Sequence, residues 1–471
     1  MTRPRAWIKT LALVSTLAIV AGACSSGSAT PAPSAAASVA ASAAASAAAA
    51  STEPAASPSA AAVNACGTDP VTLNVWGGYP ENDPVWKTAG ENFKKTHPNV
   101  DFTVFSTDLR GFEQKLTTAL PSKTAGDVVI RTTNFLARFI DQGLLAPLPD
   151  DLKAAVTGSG YNPAVIKDNT YNDGVWGVPL FTGGTGIYYN TDMYTAAGIT
   201  GPPTSMDMLI ENAKKLAVVD ASGTLTRSGW SLRLSGQGSG VAEKFWILLL
   251  QYGKTLIRET SPGKWQAEYN GPEGVKLFQM YVDFLKSNID TENIDSDAKA
   301  FETKATAQFL RESWVIPEIV TNAPDLVGHY ATISPPVGDI LTTESAFVPA
   351  ASPNAACAWD FIRFLREQDQ QLSLVTTSGW LPARNDLDLT AFLAANPTYE
   401  GFLKHPDGYT LTVTPPIAEF DEIETKLATH LVSGYADFAN LAGNPTKIQA
   451  LLNTWAEETN SILKANGHFG G

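Results

Sequence analysis

The residues that could do chemistry in this chain are 47 carboxylates, five histidines and three cysteines, and their spacing argues against most reactions. His97, His329, His405, His430 and His468 stand far apart, none with a second His, Cys or carboxylate at ligand spacing. They read as surface or capping residues, not as a metal site. Asp295-Ser296-Asp297 opens like a calcium loop but lacks the glycine and terminal glutamate, so it reads as a solvated loop. There is no Gly-x-Ser-x-Gly elbow and no phosphate-loop lysine. Gly236 to Gly240, ahead of a helix at Val241, could offer backbone N–H groups to an anion. Without a strong preceding strand or the dinucleotide spacing, it reads as a mobile loop that closes over something else. The carboxylates are too many for their presence to indicate an acid/base pair, so nothing points to an enzyme. Three cysteines also exclude a disulfide-dense scaffold.

What remains is aromatic. Tyr79, Trp230, Trp314 and Trp380 fall in loops or at element ends, outside the periodic core positions. Aromatic faces stack on the apolar C–H faces of sugar rings, while nearby Asn, Gln and carboxylates take hydroxyls. Taken singly, each of the four fits core packing better than ligand contact.

The elements that must position them alternate. Val71 to Trp76 has the period of a strand, Asp83-Pro84 starts a helix as cap and first residue, and His97-Pro98 ends it. Val100 to Phe105 alternates again, a helix runs from about 111 to 120, and Asp127 to Ile130 is a short buried strand. That order predicts a parallel sheet with right-handed crossovers. Ile187 to Tyr189 reads as a strand. Met206–Leu216, Val241–Tyr252, Gly274–Lys286 and Pro353–Arg366 read as helices, and the last hundred residues as mostly helical. No repeat of 20–50 residues is visible, which excludes solenoids and propellers.

At 471 residues the chain is long enough for two or three domains. Its formal charge of -14 argues against a nucleic-acid partner. Only 17% of residues are charged, because the N-terminus is nearly chargeless. Arg3, Arg5 and Lys9 precede an apolar run from about Leu11 to Ala23, the layout of a secretory signal too short for a comfortable membrane span. Losing those three positive charges takes the chain from -14 to -17. Residues 25–65 are almost wholly Ala, Ser, Pro and Thr and cannot form a core. As a flexible tether they span roughly 35 Å as a coil, and about 130 Å fully extended.

Val20-Ala21-Gly22-Ala23-Cys24 resembles the lipobox of bacterial lipoproteins, with Ala21 where leucine is usual. Further segments resemble the extracellular solute-binding proteins of carbohydrate ABC transporters, the maltose-binding-like class. They are Leu73 to Gly78, Ala125 to Val129, Gly143 to Leu148 and Asp173 to Pro179. The most specific run is Tyr188 to Tyr194, then Ala197-Gly198-Ile199 and Pro202-Pro203-Thr204, with Ser313-Trp314 and Gly379 to Arg384 completing the set. The likeness covers about residues 68 to 465. Two departures lie near the expected cleft: Glu312 stands where glycine is common, and Ser345 to Pro349 replaces a glycine-rich segment.

The resemblance implies an α/β, two-lobed periplasmic-binding-protein-like fold of type II, with a hinge of crossing segments and an interlobe cleft. It implies a signal peptide over 1–23, a lipidated Cys24 and tether over 24–66, lobe 1 over 67–178 plus 336–392, and lobe 2 over 179–335 plus 393–471. The cleft would be lined by Tyr79, Glu113, Asn134, Phe181, Trp314 and Trp380, with Gln237 and Arg384 as further contacts. Tyr189, Asn190, Pro203 and Asp127 would be structural. The function implied is capture of a sugar by an exported monomer, held by lipid at the outer face of the cytoplasmic membrane, with no cofactor. The sugar passes to ABC permease subunits, and no nucleic acid is involved. The same fold binding a polyamine or other small solute, or a secreted carbohydrate-active enzyme, are the alternatives. In the family's topology Cys66 and Cys357 fall in one lobe, where a disulfide would fasten the start of the first strand without restricting closure.

Overall fold

The computed structural model describes residues 65–471 apart from 237 and 295. Cys24 and Gln237 therefore lie outside the described residues, as does Asp295. Strand β1 (Val71–Gly77) buries Leu73 and Val75 completely, as its alternation requires. Helix α1 (Asp83–Lys94) follows a single 3₁₀ turn over Pro80–Asn82. That turn moves the cap position to Asn82 and makes Asp83 the first helical residue, one position earlier than the sequence indicates. Strand β2 (Val100–Ser106) pairs parallel with β1 in full register, Val71 opposite Val100. Helix α2 (Leu109–Ala119) is capped by Asp108, which accepts from the Gly111 N–H at 3.0 Å. Strand β3 (Val128–Arg131) is buried throughout and returns parallel beside β1. Helix α3 (Thr133–Asp141) starts at the next turn, capped by Thr132. Asp127 accepts from the Asn74 N–H and side chain and from Ser352 and Asn354, fixing the sheet's edge of the β3 entry.

The chain then crosses. Strand β4 (Val178–Gly183) belongs to the same sheet, but β5 (Thr185–Asn190), one residue later, is the centre of a separate three-stranded sheet. Helix α4 (Met206–Leu216) is capped by Ser205, and α5 (Gly240–Leu250) and α6 (Pro272–Lys286) pack behind the small sheet in the largest apolar core. Strand β6 (Gln308–Glu312), helix α7 (Val315–Asn322) and strand β7 (Tyr330–Ile333) complete this part, with β6 and β7 antiparallel to β5. The second crossing leads into β8 (Gly338–Phe347), ten residues that pair with both β3 and β4. Helix α8 (Ala355–Leu365) packs under β1, and β9 (Leu381–Pro382) closes the far edge beside β4. After a third crossing, β10 (Thr410–Val413) runs parallel to the first half of β8. Helices α9 (Phe420–Ala436) and α10 (Pro445–Ala465) return to the core around α5 and α6. The large sheet thus has the order β9-β4-β8-β3-β1-β2, with β10 alongside β8. This is a two-lobed α/β fold.

Cys66 and Cys357 are joined by a disulfide with α-carbons 4.3 Å apart, across 291 residues of sequence. Both belong to the core beneath β1. Closing a loop of that size stabilises by up to about 5 kcal/mol in the chain-entropy model. Among the described residues, no helix is long and apolar enough to cross a membrane.

Two of the buried carboxyl groups, Asp339 and Asp290, are held by neutral donors alone. Asp339 is 2% exposed and accepts from the N–H of Thr185 at 2.6 Å, the Thr185 hydroxyl at 2.9 Å and its neighbour's N–H. Asp290, equally buried, accepts from the Ser228 hydroxyl and the Leu232 N–H. Burial pushes each up to about 7, against the pull of those donors. Each folded-state value is raised above its unfolded one, so the folded chain holds protons that the unfolded chain has lost. Stability is therefore greatest at the acid side of this window and is lost as pH rises through about 7. Urea unfolding should show a falling free energy between about pH 5 and about pH 8. A flat or rising profile over that range would contradict the assignment.

Candidate functional site

A cavity of about 740 Å³ lies between the walls built on the two sheets, within the usual range for small-molecule sites. Its floor is one face of β8: Ile340, Thr342 and Glu344 all line it, as the two-residue period of a strand dictates. One wall comes from the turn after β1, the start of α2 and the β3–α3 junction. The other comes from α5, the end of β6 and the first turn of α9.

Aromatic side chains form one corner. The Tyr79 and Trp380 rings lie 5.2 Å apart at 66°, and Phe181 sits beneath both at 5.9 and 5.2 Å. Trp380 donates its indole N–H to Glu81 at 3.2 Å. Trp380 follows Gly379, which takes the left-handed conformation (φ 78°) after the helix over Gln368–Ser378. A β-carbon there would stand 3.0 Å from the Trp314 α-carbon and 2.9 Å from Pro317. Only glycine lets the Trp380 turn approach α7 so closely. Trp314 caps α7, half-buried, with the Arg311 guanidinium 4.9 Å over its ring.

Charged side chains are held in two buried chains. On the first wall, Arg131 bridges Glu113 and Glu344, the latter at 2.8 Å, and the Tyr79 hydroxyl donates to the same Glu344 oxygen at 2.8 Å. Burial pushes the Glu344 carboxyl up, and Arg131 offsets only part of that. Burial also raises Tyr79, reinforced by Glu344, so its hydroxyl stays a donor. On the second wall, Lys244 is 2% exposed and bonds to Glu312 and, at 2.8 Å, to Glu243. Burial opposes ionisation of Glu312, but Lys244 and Arg311 outweigh it and hold the carboxyl well below its usual range. Arg110 joins the walls: it bonds to Glu113 on its own helix at 2.8 Å, to Asp421 on α9 at 3.3 Å and to Ser239 at 3.0 Å.

Of the residues read from the sequence, the structure brings Tyr79, Asn134, Trp314 and Trp380 to the cavity. Glu113 is buried beneath the wall, spent on Arg110 and Arg131. Phe181 has no exposed surface and supports the two rings above it. Arg384 points elsewhere, paired with Asp386 and the Arg366 carbonyl. Trp230 is fully buried in the large core. The spacing of the histidines conceals spatial partners: His329, His430 and His468 each meet a carboxylate at 2.6–2.7 Å. His97 meets Asp360 at 3.2 Å, close to Cys66, whose sulfur is committed to the disulfide. Arg131, Glu344 and Lys244 were not singled out from the sequence. The signal for them was a charge inside an otherwise apolar run, as in Val128-Val129-Ile130-Arg131.

A family model described as bacterial extracellular solute-binding protein matches residues 88–401. The diacetylchitobiose binding protein DasA of Streptomyces coelicolor is 23% identical over 370 residues, covering 75% of this chain and 82% of that protein. Among solved structures, the GacH receptor of Streptomyces glaucescens, determined unliganded and with acarbose, has a TM-score of 0.71 at 20% identity. The match covers 85% of this chain and all of that one. An ABC transporter solute-binding protein of Thermotoga lettingae, bound with alpha-D-tagatose, has a TM-score of 0.69 at 23% identity, covering 83% and 99% of the two chains. At these identities the likeness is one of fold.

Proposed function

Because this chain belongs to the bacterial extracellular solute-binding proteins, we propose that it captures a sugar or oligosaccharide in its cleft and delivers it to the permease of an ABC importer. The observation that carries this reading is the Tyr79–Trp380 corner: two aromatic rings, edge to face, lining the cavity beside the polar groups of Asn134, Thr342 and Glu344. Flat apolar faces with hydrogen-bonding groups around them match a pyranose ring, which has the same division between its faces and its rim. Relatives that bind sugars in the same fold support it.

Lobe 1 would comprise 67–178 plus 336–392 and lobe 2 the remainder from 179, except that β4 (Val178–Gly183) and β10 (Thr410–Val413) pair within the large sheet and go with lobe 1. The contacts would be Tyr79, Asn134, Trp314 and Trp380, with Glu113 and Phe181 acting from beneath. A ligand touching both walls stabilises the closed form because only that form satisfies both sets of contacts. No bond in the solute needs to break, so the reading is of a binding protein and not an enzyme. The chain would work as an exported monomer, tethered through a lipid on Cys24. Intact-mass measurement of native protein should show a chain starting at Cys24 with lipid attached; an unlipidated secreted chain would contradict the anchor.

Trp314→Ala should weaken the best sugar of a screening panel by at least about tenfold, or about 1.4 kcal/mol, with circular dichroism unchanged. Binding of that sugar should also shift tryptophan fluorescence. Unchanged affinity would place Trp314 in the packing and outside the binding surface.

A further inference from the structure

Ten of the side chains lining the cavity carry a carboxyl group and four carry a guanidinium. The guanidiniums are already engaged. Arg131, Arg110 and Arg311 each bridge two carboxylates, and Arg138 lies over the Phe135 and Phe139 rings. Lys244 answers Glu243 and Glu312, and burial pushes Asp168, Glu344 and Glu424 toward their neutral forms. The charge left unanswered is local, at Glu81.

An acidic wall alone identifies no ligand, but one group in it does more. Glu344 is 2% exposed and lines the cavity floor. Its Oε1 accepts from Tyr79 and Arg131, while its Oε2 is buried without any hydrogen-bond donor. Buried polar atoms in folded proteins are nearly always paired, so an orphaned carboxylate oxygen in a binding cavity marks a place for a donor. Glu81 stands at the same corner. It accepts only the Trp380 indole N–H and has no cationic partner among the described residues. Between these two carboxylates lie the Tyr79 and Trp380 rings, whose faces attract cations as well as C–H groups.

We infer that the solute is an amino sugar with a free, unacylated amine, whose ammonium is held at the corner formed by Tyr79, Glu81, Glu344 and Trp380. The inference rests on the sugar reading above and narrows it. A hydroxyl could fill the gap at Glu344 but would leave Glu81 without a counter-charge. An ammonium supplies three donors and the missing positive charge. A polyamine would answer the charge but leave the paired ring faces without a flat partner. Burial favours the neutral form of Glu344, in a setting where Arg131, Tyr79 and Glu113 are its other close groups. An arriving ammonium favours the ionised form, in which Oε2 accepts.

The test is calorimetry on the full chain at about pH 6, where an amino sugar is cationic. The probes are the β1,4-linked glucosamine disaccharide, its N-acetylated form, cellobiose and spermidine. The free-amine disaccharide should bind at least about tenfold tighter than either neutral one. Glu344→Gln and Glu81→Gln should each reduce the preference to below about threefold. Glu81 is exposed, so its variant folds even where the buried substitution does not. Equal or tighter binding of a neutral disaccharide overturns the amine while leaving the sugar reading intact. Spermidine binding with no disaccharide bound overturns both. Failure of the amine disaccharide to bind, or its preference surviving Glu81→Gln in full, also overturns the assignment.

Discussion

Two of the three chain crossings are tied together at one buried carboxyl. Asp339, at the start of β8, holds the N–H and hydroxyl of Thr185, at the start of β5. One strand has just arrived from the small sheet and the other has just left the large one. Two of the three links between the sheets are thus fastened to each other at one point. From there β8 runs on as an unbroken ten-residue strand, and its alternate side chains become the cavity floor. The cavity floor and the strand fastened at this point are thus the same piece of backbone.

The walls are built by a different principle. Arg131 and Lys244 are buried cations, each between two carboxylates. Such clusters contribute little net stability, because desolvation offsets most of the attraction. Their effect here is positional. Arg131 fixes Glu344, which fixes the Tyr79 hydroxyl, so a ring in a turn is held as firmly as one in a strand. At Glu312, Lys244 with Arg311 supplies the charge that lets a carboxylate stand there. Ser345 is tied to Asn169. Both side chains thus have partners within the fold.

Much of the fold was legible in the sequence, for a physical reason. The β1–α1–β2–α2–β3 succession carries clean two- and 3.6-residue periods, and Met206–Leu216 appears with its predicted ends because Ser205 caps it. Cap position at α1 was misplaced by one because a 3₁₀ turn leaves no periodic trace. For the site, aromatics in loops were visible, yet Trp230 went to the core while Trp380 reached the cavity, a choice made by tertiary packing. Glu113 and Phe181 were found as neighbours of the site but not as its surface. Buried charges were hardest to find: Lys244 lies in a helix that is apolar all round, and its partner Glu312 is 68 residues away. Pairing over that distance has no signature along the chain.

The account stands or falls on where a solute sits. A crystal structure of the protein grown with its tightest-binding sugar measures this directly. A sugar ring should lie against the Tyr79 or Trp380 face, with polar contacts to Glu344 on the floor and at least one contact to the wall carrying Trp314. A sugar bound outside the cavity, or touching one wall alone with the aromatic corner empty, would contradict it.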